Sequence, residues 1–232
     1  SIAYAGGDNF VGAPVEGYQA PRCWLQRAAA EALARVDADL RTRHLRLRVF
    51  DCYRPVRAVA HFMRWAGDPG DQRTKAAHYP GLDKAQLLGE YIAPVSGHSR
   101  GATVDLSLLR CDARDAGCEP LDMGTDFDFF GPSAHTDAPA ISALQRDNRR
   151  LLREAMEAQN FRNYPMEWWH YSLAPEPTPA TQYDVPVAAP GEPGALAEIE
   201  RLMAPYDGDV PGVSLLVLKD GKAMVSRGYG RA

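Results

Sequence analysis

The sequence agrees with an α+β fold in three respects: two long stretches carry apolar residues at helical spacing, two others alternate apolar with polar residues, and glycine and proline punctuate the intervals. With 232 residues, 45% hydrophobic and 24% charged, the chain has globular composition, enough for one buried core and an appendage. A formal net charge of −4 gives no basic surface for a phosphate backbone, and no stretch approaches the eighteen or so apolar residues that span a bilayer. Neither nucleic acid nor membrane insertion is expected. The chain opens at Ser1 without a charged-then-apolar leader, as a processed or trimmed product would.

From Cys23 to about Arg43, the positions Leu25, Ala29, Ala32, Leu33, Val36 and Leu40 recur at helical spacing and predict an amphipathic helix. Leu45, Leu47 and Val49 then alternate with Arg46, Arg48 and Phe50 as a strand that stops at Arg54-Pro55, where proline favours the first turn of a helix with Val59, Phe62, Met63 and Ala66 inward. A polar loop is expected over 67–81 and a short helix over 83–90. The turn SGHSRG feeds a strand, ATVDLSLL, with Val104, Leu106 and Leu108 on one face and Thr103, Asp105 and Ser107 on the polar one. Asp137 is a candidate cap for a helix over 138–160 with the stripe Ile141, Leu144, Leu151, Leu152 and Ala155, and 164–173 reads as aromatic and extended.

Six prolines between Ala174 and Gly194 leave little room for regular structure, and the end of that run reads as a linker. Beyond it, 195–206 predicts a short helix and 212–230 two strands turned at Asp220-Gly221. Two strands and a helix bury no core alone, so this tail is either a docked arm or the opening of a truncated second domain. Cys23, Cys52, Cys111 and Cys118 include no Cys-x-x-Cys pair, which suits two disulfides better than a structural zinc site. Cys111 with Cys118 across a short loop, leaving Cys23 with Cys52, is one of three pairings, and four reduced thiols is the other reading.

The chemistry centres on His98 with Asp105 and on Glu167-Trp168-Trp169-His170. Hydrolytic zinc takes about three His or carboxylate ligands and leaves one position for water. His98, Asp105 and His170 supply that set, which leaves Glu167 unassigned, and a carboxylate close to a metal-bound water can take its proton. If 166–171 were a regular strand, Glu167 and His170 would point to opposite faces, so a bend is required. Taken singly, each residue has a plain structural reading: a satisfied core histidine, a solvated aspartate, core tryptophans. The other histidines, His44, His61, His78 and His135, have no such pattern around them, and only His135 is a candidate for supporting the site.

FDCYRP (50–55), SGHSRGATVDL (96–106) and EWWHY (167–171) resemble, in order and spacing, the signatures of VanX-type D-alanyl-D-alanine dipeptidases of zinc peptidase family M15, relatives of D,D-carboxypeptidases and Hedgehog-type domains. The resemblance runs from about Tyr4 to Val187. It implies a mainly antiparallel sheet bearing a zinc site, with the two long helices on one side. It further implies that His98, Asp105 and His170 are zinc ligands, Glu167 the general base and Arg54 the holder of the oxyanion, while Tyr4, Ser96 and Asp128 bind the free amino group of D-Ala-D-Ala. Without the family, Asp128 reads as a turn residue between core aromatics and Arg54 as a partner for a strand-end carboxylate. The expected organisation is 1–187 as the dipeptidase domain, 188–195 as linker and 196–232 as the tail, whose PGVSLLVLKDGKAMVSRGYG looks like the opening strands of a class C β-lactamase-like domain. The cysteines shift the expected location to the periplasm, with the cytoplasm as alternative. A D,D-carboxypeptidase acting on stem peptides is the alternative activity, and a zinc-holding binding module the more distant one.

Overall fold

The computed structural model describes residues 2–114, 117–189, 200–206, 209, 213–219 and 222–229. The chain divides into two compact units, Ser1–Val187 and Ala188–Ala232.

In the first unit an antiparallel sheet runs in the order β1 (Leu45–Asp51), β2 (Thr103–Arg110), β5 (His170–Leu173), β4 (Phe161–Asn163), with the short β3 (Glu119–Pro120) beside the end of β2. Helices α1 (Arg27–Arg41) and α5 (Ala143–Glu157) pack on each other, α1 also on β1 and α5 on β4. The architecture is α+β with a mainly antiparallel open sheet, as expected. Ala29, Ala32, Val36 and Leu40 form the buried stripe of α1, as their spacing required. Val104, Leu106 and Leu108 of β2 are also fully buried. The opposite face of β2 is not the solvated one its polar residues suggested: Thr103, Asp105 and Ser107 are buried as well. The chain before α1 and helix α2 (Val56–Ala66) supply an aromatic cluster of Tyr4, Phe10, Phe62 and Trp65.

Several local expectations are corrected. The loop over 67–81 contains a helical turn, α3 (Lys75–His78), and the next helix is only α4 (Lys84–Leu87), capped by Asp83 and Gln86. Helix α5 starts at Ala143 because Ser142 and Gln145 form a reciprocal capping box there. Asp137 instead pairs with Arg153 at 3.2 Å. The buried face of α5 is Asn148, Arg149, Leu152, Ala155 and Met156, and Leu144 points to solvent. The stretch 164–173 is strand only from His170. Both disulfides are formed, Cys23–Cys52 and Cys111–Cys118. The proline-rich run is pinned as far as Val187, whose carbonyl accepts from the N–H groups of Gln19 and Ala20.

In the second unit 200–203 are helical, followed by a 3-10 turn at Ala204–Tyr206. Strands β6 (Val213–Lys219) and β7 (Lys222–Tyr229) pair antiparallel, ending at Lys219 opposite Lys222. The expected turn residues Asp220 and Gly221, and the first part of the expected helix, lie outside the described residues.

Candidate metal centre and cavity

Strand register assembles the site. Between Val49 and Asp51 the pairing of β1 with β2 slips, so that Phe50 and Asp51 are both buried and Asp51 comes opposite Asp105. On the other side of β2, Asp105 is opposite His170. Directly opposed residues share a face, so three strands deliver Asp51, Asp105 and His170 in one row. His98 comes from the 3-10 turn Gly97–Arg100, where the Ser96 hydroxyl accepts the His98 N–H at 3.3 Å. Gly101, at φ +74°, then turns the chain into β2 in a conformation that favours glycine. The bend demanded between Glu167 and His170 exists: Glu167 donates its N–H to Tyr164 and His170 its N–H to Glu167, two successive turns that bring both side chains to the same place.

His98 Nε2 lies 3.1 Å from Asp105 Oδ2, and His170 Nδ1 lies 3.1 Å from Asp105 Oδ1. The two facing imidazole nitrogens are 3.3 Å apart, and one ligand atom from each of the three residues falls within 4.8 Å of the others. Asp105 Oδ1 is buried without a well-aligned hydrogen bond. Two nitrogens and a carboxylate aimed at one point, with an unsatisfied acceptor among them, fit a divalent cation of the zinc type. His98 is held for that role from behind, since its Nδ1 lies 2.6 Å from the carbonyl oxygen of Cys52, leaving Nε2 to face the centre. Glu167 Oε2 is 3.4 Å from His170 Nδ1.

The charges are tightly coupled. Burial alone would raise the Asp105 carboxyl, but His98 and His170 beside it hold it well below the usual range. Burial would lower His170, yet Asp105 and Glu167 beside it together outweigh that and raise it. Glu167 is pushed up to about 7 by burial, with Asp105 adding to the rise and His170 opposing it. A cation at the trio would draw it down again.

Glu167 and the trio line a cavity of about 240 Å³, small beside the pockets that hold drug-sized ligands. Tyr4, Arg54, Ser96 and Asp128 line it too, so every residue given a ligand, catalytic or substrate-binding role from the sequence reaches this one space. Asp128 is 4% exposed and sits at φ +61°, an uncommon conformation for a non-glycine residue. Its two carboxylate oxygens each lie 3.0 Å from the Tyr4 hydroxyl, and its backbone carbonyl lies 3.0 Å from His78 Nδ1. Burial pushes the Asp128 carboxyl well above its usual value, Asp105 adds to that, and Arg54 and Tyr4 oppose it. His78 thus supports the cavity although it read as a plain loop residue, and His135 meets the Tyr91 hydroxyl of the cavity wall at 3.3 Å. Sequence reasoning did not single out Asp51, which sits inside FDCYRP and whose signal was its place at the end of a strand, as the carboxylate with which Arg54 could pair.

The D-Ala-D-Ala dipeptidase model of peptidase family M15 matches residues 1–188. A D-alanyl-D-alanine dipeptidase of Streptomyces coelicolor is 43% identical over 186 residues, 80% of this chain and 90% of the relative. One of Enterococcus faecium is 41% identical over 79% of this chain and 90% of its own length. That of Escherichia coli is 33% identical over 74% of this chain and 77% of the relative. Matches of this extent, on a chain whose cavity gathers a His-Asp-His trio and a buried glutamate, make it a member of the D-Ala-D-Ala dipeptidase family of M15 peptidases.

Proposed function

We propose that the chain hydrolyses D-Ala-D-Ala to two D-alanines, with one zinc ion held by His98, Asp105 and His170. The observation that carries this is a small cavity with Glu167 and the trio on its wall together with a second, buried carboxylate, Asp128, that none of the trio uses. Bound at the trio, zinc would supply an acidified water and a polarised scissile carbonyl. Glu167 takes a proton from the attacking water and passes it to the leaving amine. Arg54, a fixed cation lining the same cavity, stabilises the negative charge that develops on the carbonyl oxygen. Asp128, with the hydroxyls of Tyr4 and Ser96, receives the free ammonium of the dipeptide.

An acylated peptide brings no ammonium and leaves Asp128 buried and unpaired, which disfavours longer substrates. Asp128 lines the cavity, which favours a dipeptidase over a D,D-carboxypeptidase. The two disulfides favour an oxidising compartment, and in the periplasm such an enzyme would scavenge wall-derived dipeptides. The test is D-alanine release from D-Ala-D-Ala beside N-acetyl-D-Ala-D-Ala. Turnover confined to the free dipeptide supports the proposal. Equal or preferential cleavage of the acetylated peptide makes the protein a carboxypeptidase, and no turnover of either with zinc bound makes it a binding module.

A further inference from the structure

Asp51 is a fully buried carboxylate that the proposed reaction leaves without a role. Its Oδ2 accepts from Nε of Arg54 at 3.0 Å and lies 3.0 Å from Nη2 of the same guanidinium, and its Oδ1 accepts the Tyr18 hydroxyl at 2.7 Å. The same Nη2 lies 3.6 Å from Oδ2 of Asp105. Two carboxylates therefore flank one guanidinium, and Asp51 is the nearer of them. The rings of Tyr4 and Phe62, 5.1 and 4.9 Å from the guanidinium carbon, pack around the group but do not choose which of its edges points where. Asp51 does, by occupying the Nε–Nη2 edge.

The strand slip gives the arrangement its origin. Without the extra residue between Val49 and Asp51, the carboxylate would point to the opposite face of the sheet. We propose that Asp51 is a positioning residue, aimed by the β1 bulge, which holds Arg54 by one edge so that its remaining donors serve the cavity. His98 is not the route of this effect: its Nδ1 is 2.6 Å from the Cys52 carbonyl oxygen and 3.6 Å from Asp51. Loss of Asp51 should therefore spare metal binding.

The inference rests on the role given to Arg54 above, and the test separates the two. Asp51→Asn, Arg54→Lys and the double variant are compared for D-Ala-D-Ala turnover and zinc content. Asp51→Asn is expected to lower kcat roughly 30- to 300-fold, as a misplaced catalytic group does, with KM within about threefold and zinc content unchanged. The double variant should fall no more than about threefold below the slower single one, because both changes remove one interaction. An unchanged kcat in Arg54→Lys overturns the role of the arginine and the inference with it. If Arg54→Lys is slow but Asp51→Asn is not, or if their losses multiply in full, only the positioning role is overturned, as it is if zinc is lost from Asp51→Asn. Should Asp51→Asn not accumulate folded, Tyr18→Phe replaces it: a loss of about three- to tenfold in the native background and none beside Arg54→Lys supports the proposal, and equal losses in both overturn it.

Discussion

Asp128→Asn should make the protein more stable and less active at once. The carboxylate is 4% exposed and has the Tyr4 hydroxyl as its hydrogen-bond donor, so in the absence of substrate its charge at neutral pH is poorly compensated. Asparagine keeps the size, keeps an acceptor for Tyr4 and tolerates the positive φ. The folded-state pKa of Asp128 lies above the unfolded one, so its contribution to stability is fully present below about pH 4 and is lost as pH rises through the folded value. Removing the charge should then stabilise the fold by about 1–2 kcal/mol near pH 8, a rise in Tm of roughly 2–8 °C, and the gain should vanish near pH 4. Substrate binding moves the other way: an ammonium that loses its buried carboxylate forfeits about 3 kcal/mol, so kcat/KM for D-Ala-D-Ala should fall about 100- to 200-fold. Preference for the free dipeptide over its N-acetyl form should shrink by a similar factor. Thermal melts at the two pH values and steady-state kinetics read both quantities. A lower Tm near pH 8 with unchanged kcat/KM would show that Asp128 serves the fold and not the substrate.

Glu167→Gln should lower kcat by about 10²–10⁴ while zinc content stays at the native level, read by metal analysis beside kinetics. Zinc uptake by the metal-free protein should release protons and weaken as pH falls through the raised pKa of His170, since the proton and the ion compete for that ring; calorimetry in buffers of different ionisation heat checks this. Cys23→Ser with Cys52→Ser opens a loop of sequence separation 29 and should cost about 3–4 kcal/mol, against about 2 kcal/mol for the pair at separation 7, so the first double variant should melt at the lower temperature. Arg149→Leu leaves the carbonyls of Met123, Ser133 and His135 without the guanidinium that now bonds all three, and should destabilise the fold by at least about 3 kcal/mol in denaturant titrations.

Helix α1 was legible because its stripe is made of aliphatic residues facing a hydrophobic sheet, where periodicity carries the signal. Helix α5 was misread at its start because Asp137 and Ser142 both suit a cap, and only Ser142 has a Gln three residues on to close the reciprocal bond. Its stripe was misread because Asn148 and Arg149 are buried through bonds to the carbonyls of Asp122, Met123, Ser133 and His135, partners that no local pattern announces. The trio and Glu167 were legible from motif spacing and resemblance, but not their convergence. That depends on the register of β2 with β5 and on two turns between Tyr164 and His170, which alternation alone would have made a strand. Asp51 stayed hidden because a one-residue slip decides which face it takes, and slips leave no compositional trace.

The most direct test of the account is D-alanine release from D-Ala-D-Ala by the zinc-loaded protein beside a Glu167→Ala sample of equal zinc content. The account predicts two D-alanines per dipeptide from the native protein and no release above background from the variant. Comparable release by the variant, or none by the native protein, would contradict it.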